Sequence, residues 1–132
     1  RVETIEEALR NADLVSLHMN LSPETKNLIS AQRLALMKHD AVIINTARGE
    51  LVDSAAIADA LKNRRLGGYG ADVLEQEPPP KDHPLFGCPN AVLTPHIGSR
   101  TYESVARQAG MAAENLIRVL DGRPALAQAN KV

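Results

Sequence analysis

The chain has 132 residues, 44% hydrophobic and 23% charged, with a formal net charge of -1, which is enough length for one core and leaves no excess charge of either sign. Balanced charge with two tyrosines, one phenylalanine and no tryptophan argues against a nucleic-acid surface, which needs a basic face and stacking aromatics. No apolar run nears the roughly 20 residues of a membrane span, RVETIEEALR is not a signal peptide, and Cys88 is alone, so a soluble, reducing, cytoplasmic setting is expected.

The sequence begins without methionine and enters a helix at once. Thr4 with Glu7 three positions on makes a capping box, and Ile5, Ala8, Leu9 and Ala12 fall at helical spacing. It reads as a chain entered partway through a domain. Residues 14–18 (LVSLH) follow as a short apolar strand, with His18, Met19 and Asn20 at its carboxyl end and a turn at residues 22–25 that Pro23 helps fix. Ser30 caps a helix carrying Leu34, Leu36 and Met37. Ala41, Val42, Ile43 and Ile44 make an unbroken apolar run, expected to be a strand covered on both faces. Asn45, Thr46, Ala47, Arg48 and Gly49 break that run, and Asp53 caps a helix with the apolar face Ile57, Ala60 and Leu61.

Residues 68–73 (GYGADV) predict a third strand, weakened by Gly68 and Gly70, although glycine in a strand also marks close backbone approach. Residues 75–89 are rich in proline and charge and predict a surface loop. A fourth strand at 91–94 ends at Pro95, before His96, Ile97, Gly98 and Ser99. One long helix then runs from about Thr101 to Leu120, with Val105, Ala109, Ala112, Leu116, Ile117 and Leu120 along one face and Gly122 and Pro124 stopping it. The tail from Ala125 is small and polar and is expected to fray. Strands alternating with helices, without a repeat or a linker, predict an α/β fold: half of a doubly wound parallel sheet followed by a long C-terminal helix.

In such a sheet the strands end at one edge, where ligands bind. His18, Arg48, Asp72 and His96 all stand at or just beyond strand ends, and Glu77 follows the third strand closely. Arg48 offers a planar fork that matches a carboxylate, or a carbonyl beside one; the plainer alternative is a surface arginine paired with Glu50. His96 stands in a turn and suits a general acid or base, or a structural role. A Glu77 carboxylate bonded to one ring nitrogen would set its tautomer and keep a proton available for a carbonyl oxygen. Asp72 either accepts a ligand amide or caps a turn. Glu75, Asp82 and His83 are expected to be solvated, and Cys88 to be a small semi-buried thiol. No metal is expected, because His18, His39, His83 and His96 are scattered without ligand spacing. Gly68-Tyr69-Gly70 lies within a strand, so it is not a phosphate-binding loop.

Three stretches in this order, MKHDAVIINTARGELVD (37–53), GADVLEQEP (70–78) and LTPHIG (93–98), resemble the D-isomer-specific 2-hydroxyacid dehydrogenases. LVSLHMNLSPETKNLI (14–29) is similar to that family's LHxPLTxxT segment, with Asn20 in place of the usual proline. The resemblance runs from Ala12 to about Gly122. It implies a Rossmann-like fold, NAD or NADP as cofactor, and hydride transfer between nicotinamide and C2 of a small 2-oxo or 2-hydroxy acid. By that resemblance Arg48 holds the substrate carboxylate and carbonyl, His96 exchanges the proton, and Glu77 tunes His96. Asp72 would bind the nicotinamide carboxamide, while Met19, Thr46, Ala47 and Arg48, with His96, Ile97, Gly98 and Ser99, would line the cofactor.

The resemblance also implies that residues 1–122 are the C-terminal part of a dinucleotide-binding domain, that the helix at 101–121 returns toward a substrate domain, and that 123–132 are a tail. The glycine-rich loop, the acidic residue that reads the ribose and most of the substrate domain lie upstream in family members. The chain alone is therefore expected to be inactive and to expose an edge at its first strand, and the complete protein to be a homodimer. Formate dehydrogenases resemble this pattern with glutamine where Glu77 stands, so the carboxylate favours the hydroxyacid reaction. Two further readings stay open: an NAD-sensing corepressor of the same fold, and a non-catalytic fragment that only dimerises.

Overall fold

The computed structural model describes residues 1–128, which fall into two compact units, one spanning residues 1–96 and the other beginning at Ile97. The first opens with helix α1 (Ile5–Asn11), where the Thr4 hydroxyl accepts from the Glu7 amide at 3.2 Å. The reciprocal half of the expected box is displaced by one residue, since the Glu7 carboxylate accepts from the Glu3 amide. Strand β1 (Leu14–Leu17), the single-turn helix α2 (Ala31–Leu34) and strand β2 (Val42–Asn45) follow. After β2 come a 3-10 turn (Gly49–Leu51), helix α3 (Ser54–Lys62), strand β3 (Gly68–Ala71) and strand β4 (Ala91–Leu93). Ser30 caps α2 as expected, but the helix stops at Leu34 and a turn carries the chain to the buried Met37. Asp53 caps α3 by accepting from the Ala56 amide at 3.0 Å.

The four strands are parallel and lie in sequence order, β1-β2-β3-β4. That order has a direct consequence. Each crossover steps to the next strand in the same direction, and right-handed crossovers then deliver every connection to one face of the sheet. Leu9 of α1, Leu34 of α2 and Ile57, Ala58 and Leu61 of α3 accordingly share one core with Leu17, Ile43, Tyr69 and Ala71. Arg33 of α2 and Glu6 of α1 clamp the outer helices together at 2.9 Å.

The other face of the sheet carries no helix of this unit. Val42 and Ile44 are only partly buried, and Leu14 and Val92 on the edge strands are 60% and 68% exposed. The expectation that β2 is covered on both faces is therefore corrected: one half of a doubly wound sheet supplies helices to one side only. β1 is an edge strand, as anticipated.

Residues 74–90, between β3 and β4, stand where a crossover helix would otherwise pack. The loop lacks regular structure, yet it inserts His83, Leu85 and Cys88 into the core side, and all three are buried. The thiol of Cys88 contacts the carbonyl of Pro84 at 3.2 Å. His83 is thus not solvated, contrary to the expectation from composition. A loop doing the covering work of a helix must bury something, and this one buries His83, Leu85 and Cys88 while Phe86 stays exposed.

In the second unit, helix α4 (Tyr102–Leu120) is capped by the Thr101 hydroxyl, which accepts from the Ser104 amide at 3.2 Å. None of its residues is buried, and Val105, Leu116, Ile117 and Leu120 of the expected apolar face are at least half exposed. Gly122 takes the left-handed conformation (φ 73°) that ends the helix. The following residues fold back onto α4: Arg118 Nε donates to the Pro124 carbonyl, and Asn115 Oδ1 accepts from the amides of Leu126 and Ala127. The expected fraying of residues 125–128 gives way to this fold-back, while residues 129–132 of the expected tail lie outside the described residues. No helix among the described residues is long and apolar enough to cross a membrane.

Candidate active site

The parallel register pairs Leu17 with Asn45, Asn45 with Ala71, and Ala71 with Leu93. His18, Thr46, Asp72 and Thr94 therefore leave the sheet side by side at one edge. Arg48 and His96 each stand three residues beyond their strand ends, at the same edge.

The turn bearing Arg48 is built on Asn45, the fully buried last residue of β2. Its Nδ2 donates to the Arg48 carbonyl at 2.9 Å and its Oδ1 accepts from the Ala47 amide at 3.1 Å. A second strut comes from the segment after β1. The Asn27 amide donates to the Glu50 carbonyl, the Ile29 amide to that of Leu51, and the Asp53 amide back to that of Ile29. Beside this turn lies an open cleft of about 450 Å³ lined by His18, Met19, Asn20, Leu21, Thr46, Ala47 and Arg48. The Thr25 hydroxyl donates to the Asn20 carbonyl at 2.9 Å, which secures the cleft wall where the resemblance led one to expect proline. The Ser16 hydroxyl lies 2.8 Å from His18 Nε2. Arg48 is exposed and rests one nitrogen on the Ala47 carbonyl at 2.7 Å. Among the described residues it forms no ion pair, so the alternative pairing with Glu50 is not found.

Across the sheet, His96 Nδ1 lies 2.6 Å from Glu77 Oε2. The other carboxylate oxygen of Glu77 accepts from the Leu74 amide at 3.0 Å. The contact with His96 first, and then the one with Leu74, holds the Glu77 carboxyl below the usual carboxylate range. With an ionised carboxylate on Nδ1, that nitrogen carries the proton. His96 itself adopts a left-handed backbone (φ 52°) beyond Pro95. Such a conformation costs a non-glycine residue about 1 kcal/mol or more and concentrates at sites where side-chain direction matters. At the neighbouring strand end, the Thr94 hydroxyl donates to Asp72 Oδ1. Ile97, Gly98 and Ser99 open the second unit, where the Ile97 carbonyl accepts from the Arg100 amide and that of Ser99 from Gln108 Nε2.

Residues 1–98 match the model of one family, the D-isomer specific 2-hydroxyacid dehydrogenase, NAD binding domain. The chain belongs to this family. It is 49% identical over 123 residues to a glyoxylate reductase of Thermofilum pendens, aligning with 93% of this chain and 36% of that protein. Among solved structures it superposes with TM-score 0.90 and 48% identity on the TT0316 protein of Thermus thermophilus, covering 97% of this chain and 41% of that one. A D-lactate dehydrogenase of Lactobacillus jensenii, solved with NAD+, gives TM-score 0.89 at 33% identity, over 98% of this chain and 43% of that one. The chain thus spans little more than a third of the length of the glyoxylate reductase it matches at 49% identity.

Within this member of the 2-hydroxyacid dehydrogenase family, three features escaped sequence reasoning. Asn45 reads simply as the residue that ends an apolar run; full burial makes it the framework of the Arg48 turn. Thr94 reads as a strand residue, and the parallel register brings its hydroxyl to Asp72. Glu75 stays exposed as expected but meets the buried His83 at 3.2 Å, with its second oxygen accepting from the Ser54 hydroxyl at 2.7 Å. Burial works against the ionised form of Glu75, yet hydrogen bonds from the backbone, Ser54 and His83 outweigh it and lower the pKa. One signal was available: a histidine followed by Pro84 and Leu85 in an otherwise polar loop marks a point of insertion.

Proposed function

We propose that this chain forms one wall of the active site of an NAD(P)-dependent D-2-hydroxyacid dehydrogenase. The observation that carries this reading is the 2.6 Å contact of His96 with Glu77 at the sheet edge where Arg48 also stands. The Arg48 fork suits the carboxylate and adjacent carbonyl oxygen of a small 2-oxo acid, bound through two parallel hydrogen bonds. His96 gives its proton to the carbonyl oxygen as the alcohol forms and takes it back in the reverse direction. Glu77 orients the ring and offsets its positive charge while the proton is held.

The residues present fit a nicotinamide cofactor. The cleft beside Met19, Thr46 and Ala47 is concave and lies at the strand ends, and Asp72, positioned by Thr94, places a carboxylate acceptor where a carboxamide N–H could be met. The bound nicotinamide supplies or receives the hydride at C2 of the acid. The chain's own residues bind the acid, orient the carbonyl and move the proton. In this reading residues 1–122 belong to the cofactor domain, α4 leads back toward the substrate domain, and the complete enzyme is a cytoplasmic homodimer.

These 132 residues contain no glycine-rich phosphate loop between a strand and a helix, so we infer that alone they bind NADH and NADPH weakly and do not turn over. Calorimetric titration of the chain with either cofactor should give little heat, and micromolar binding would refute that inference. In the complete dehydrogenase, Arg48→Ala should remove most reduction of 2-oxo acids. Near-normal turnover would overturn the assignment.

A further inference from the structure

The two halves of the candidate site stand on different segments, and two contacts tie those segments together at one point, Leu74-Glu75, which two further bonds anchor within its own loop. The backbone there packs directly against Gly49, the residue after Arg48, so closely that a Cβ on Gly49 would overlap Leu74 C and Glu75 N. The Leu74 amide holds the Glu77 carboxylate. The Glu75 side chain reaches back to Ser54, the first residue of α3, and across to the buried His83. His83 Nδ1 lies 3.4 Å from the Leu85 amide as its acceptor, so Nε2 carries the proton and donates to Glu75.

We propose that Glu75 is a positioning residue: clipped between Ser54 and His83, its carboxylate keeps the Glu77 loop in register with the turn that carries Arg48. Glu75 touches neither Arg48 nor His96 in any hydrogen bond described, and it acts through the Leu74-Glu75 backbone. Its Ser54 partner lies only six residues beyond Arg48, past a 3-10 turn, and its own position is two residues before Glu77. Losing the clip frees both short connections together, and the bond from Leu74 to Glu77 is the first to lengthen. The proposal rests on the reading of Glu77 and His96 as working groups, but it concerns their geometry and not their turnover.

The test uses the chain itself, with carbon-13 detected titration of the Glu77 carboxyl and nitrogen-15 spectra of the His96 ring, in Glu75→Ala and Glu75→Gln. Gln retains an acceptor for His83 and an amide that Ser54 can accept from, so the expected result is a Glu77 midpoint still depressed, as in the parent. Ala removes both links, and its Glu77 midpoint should rise to the ordinary carboxylate value while His96 loses its fixed Nδ1–H tautomer. A folded Glu75→Ala variant with Glu77 and His96 unchanged overturns the proposal, as does a Gln variant that behaves like Ala. Should Glu75→Ala not fold, Ser54→Ala deletes a single hydroxyl and is read in the same way: a partial rise supports the clip and an unchanged midpoint overturns it. Failure here leaves the dehydrogenase reading standing, since that falls only with the activity of Arg48→Ala.

Discussion

Gly49→Ala tests the packing that joins the two sides of the site. A Cβ at this position would lie 2.0 Å from Leu74 C, 2.2 Å from Glu75 N and 2.4 Å from Leu74 O. Real Cβ atoms essentially never come within 3.0 Å of such neighbours, and all three are backbone, so no rotamer change relieves them. The Arg48 turn and the Glu77 loop have to separate by roughly 1 Å. Overpacking of a well-filled interior costs about 1–3 kcal/mol, and a clash confined to backbone belongs at the upper end, near 3 kcal/mol. That is a large fraction of the roughly 5–15 kcal/mol that holds a domain folded. Gly70→Ala is the control: its nearest neighbour is Ile44 Cδ1 at 2.9 Å, the end of a flexible side chain that turns aside for about 1 kcal/mol or less. Urea unfolding followed by circular dichroism compares the two variants under identical conditions. If Gly49→Ala unfolds within about 0.5 kcal/mol of the parent, the segments are not in contact as described and the reasoning fails.

Three further outcomes follow from single residues. Tyr69 is 1% exposed, its hydroxyl meets no hydrogen-bond partner among the described residues, and burial pushes its pKa up to about 12; the Asn45 amide lies near enough to oppose that rise but is already engaged with Ala47 and Arg48. Tyr69→Phe should therefore leave stability unchanged or raise it by about 1 kcal/mol in the same urea assay, and a loss of that size would mean the hydroxyl is bonded. Asn45→Asp keeps the acceptor for Ala47 but sets a carboxylate against the Arg48 carbonyl, so a loss of about 2 kcal/mol is expected near neutral pH, and parent-like unfolding would contradict the assigned amide orientation. Glu77 has a depressed pKa, so its contribution is present above the ordinary carboxylate value of 4.5 and is lost as pH falls through the lower folded value. His96→Ala removes the largest cause, and the Glu77 midpoint should move up toward 4.5; an unmoved midpoint would show that Leu74 alone sets it.

Much of this molecule is written locally. Thr4, Ser30 and Asp53 cap the helices at the positions their spacing predicts, because a cap is a contact across three residues and needs no tertiary partner. The apolar runs between turn residues located all four strands, and the ordered motifs around Arg48, Glu77 and His96 pointed to the family. What composition could not reveal was which polar groups meet. Glu75 and His83 look solvent-bound in a loop of prolines and charges, and only the one-sided sheet, which draws that loop over its core in place of a helix, buries the histidine against the carboxylate. Strand β2 looks covered on both faces because its apolar run is continuous, but its cover depends on the direction in which successive crossovers step. Thr94 acquires its role from parallel register, which sets residues of separate strands side by side. Sequence determined the elements, their ends and the residue types at the sheet edge, since those depend on neighbours within a few positions; tertiary structure decided the burial of Asn45 and the partners of Asp72 and Glu75, since those depend on where distant segments pack.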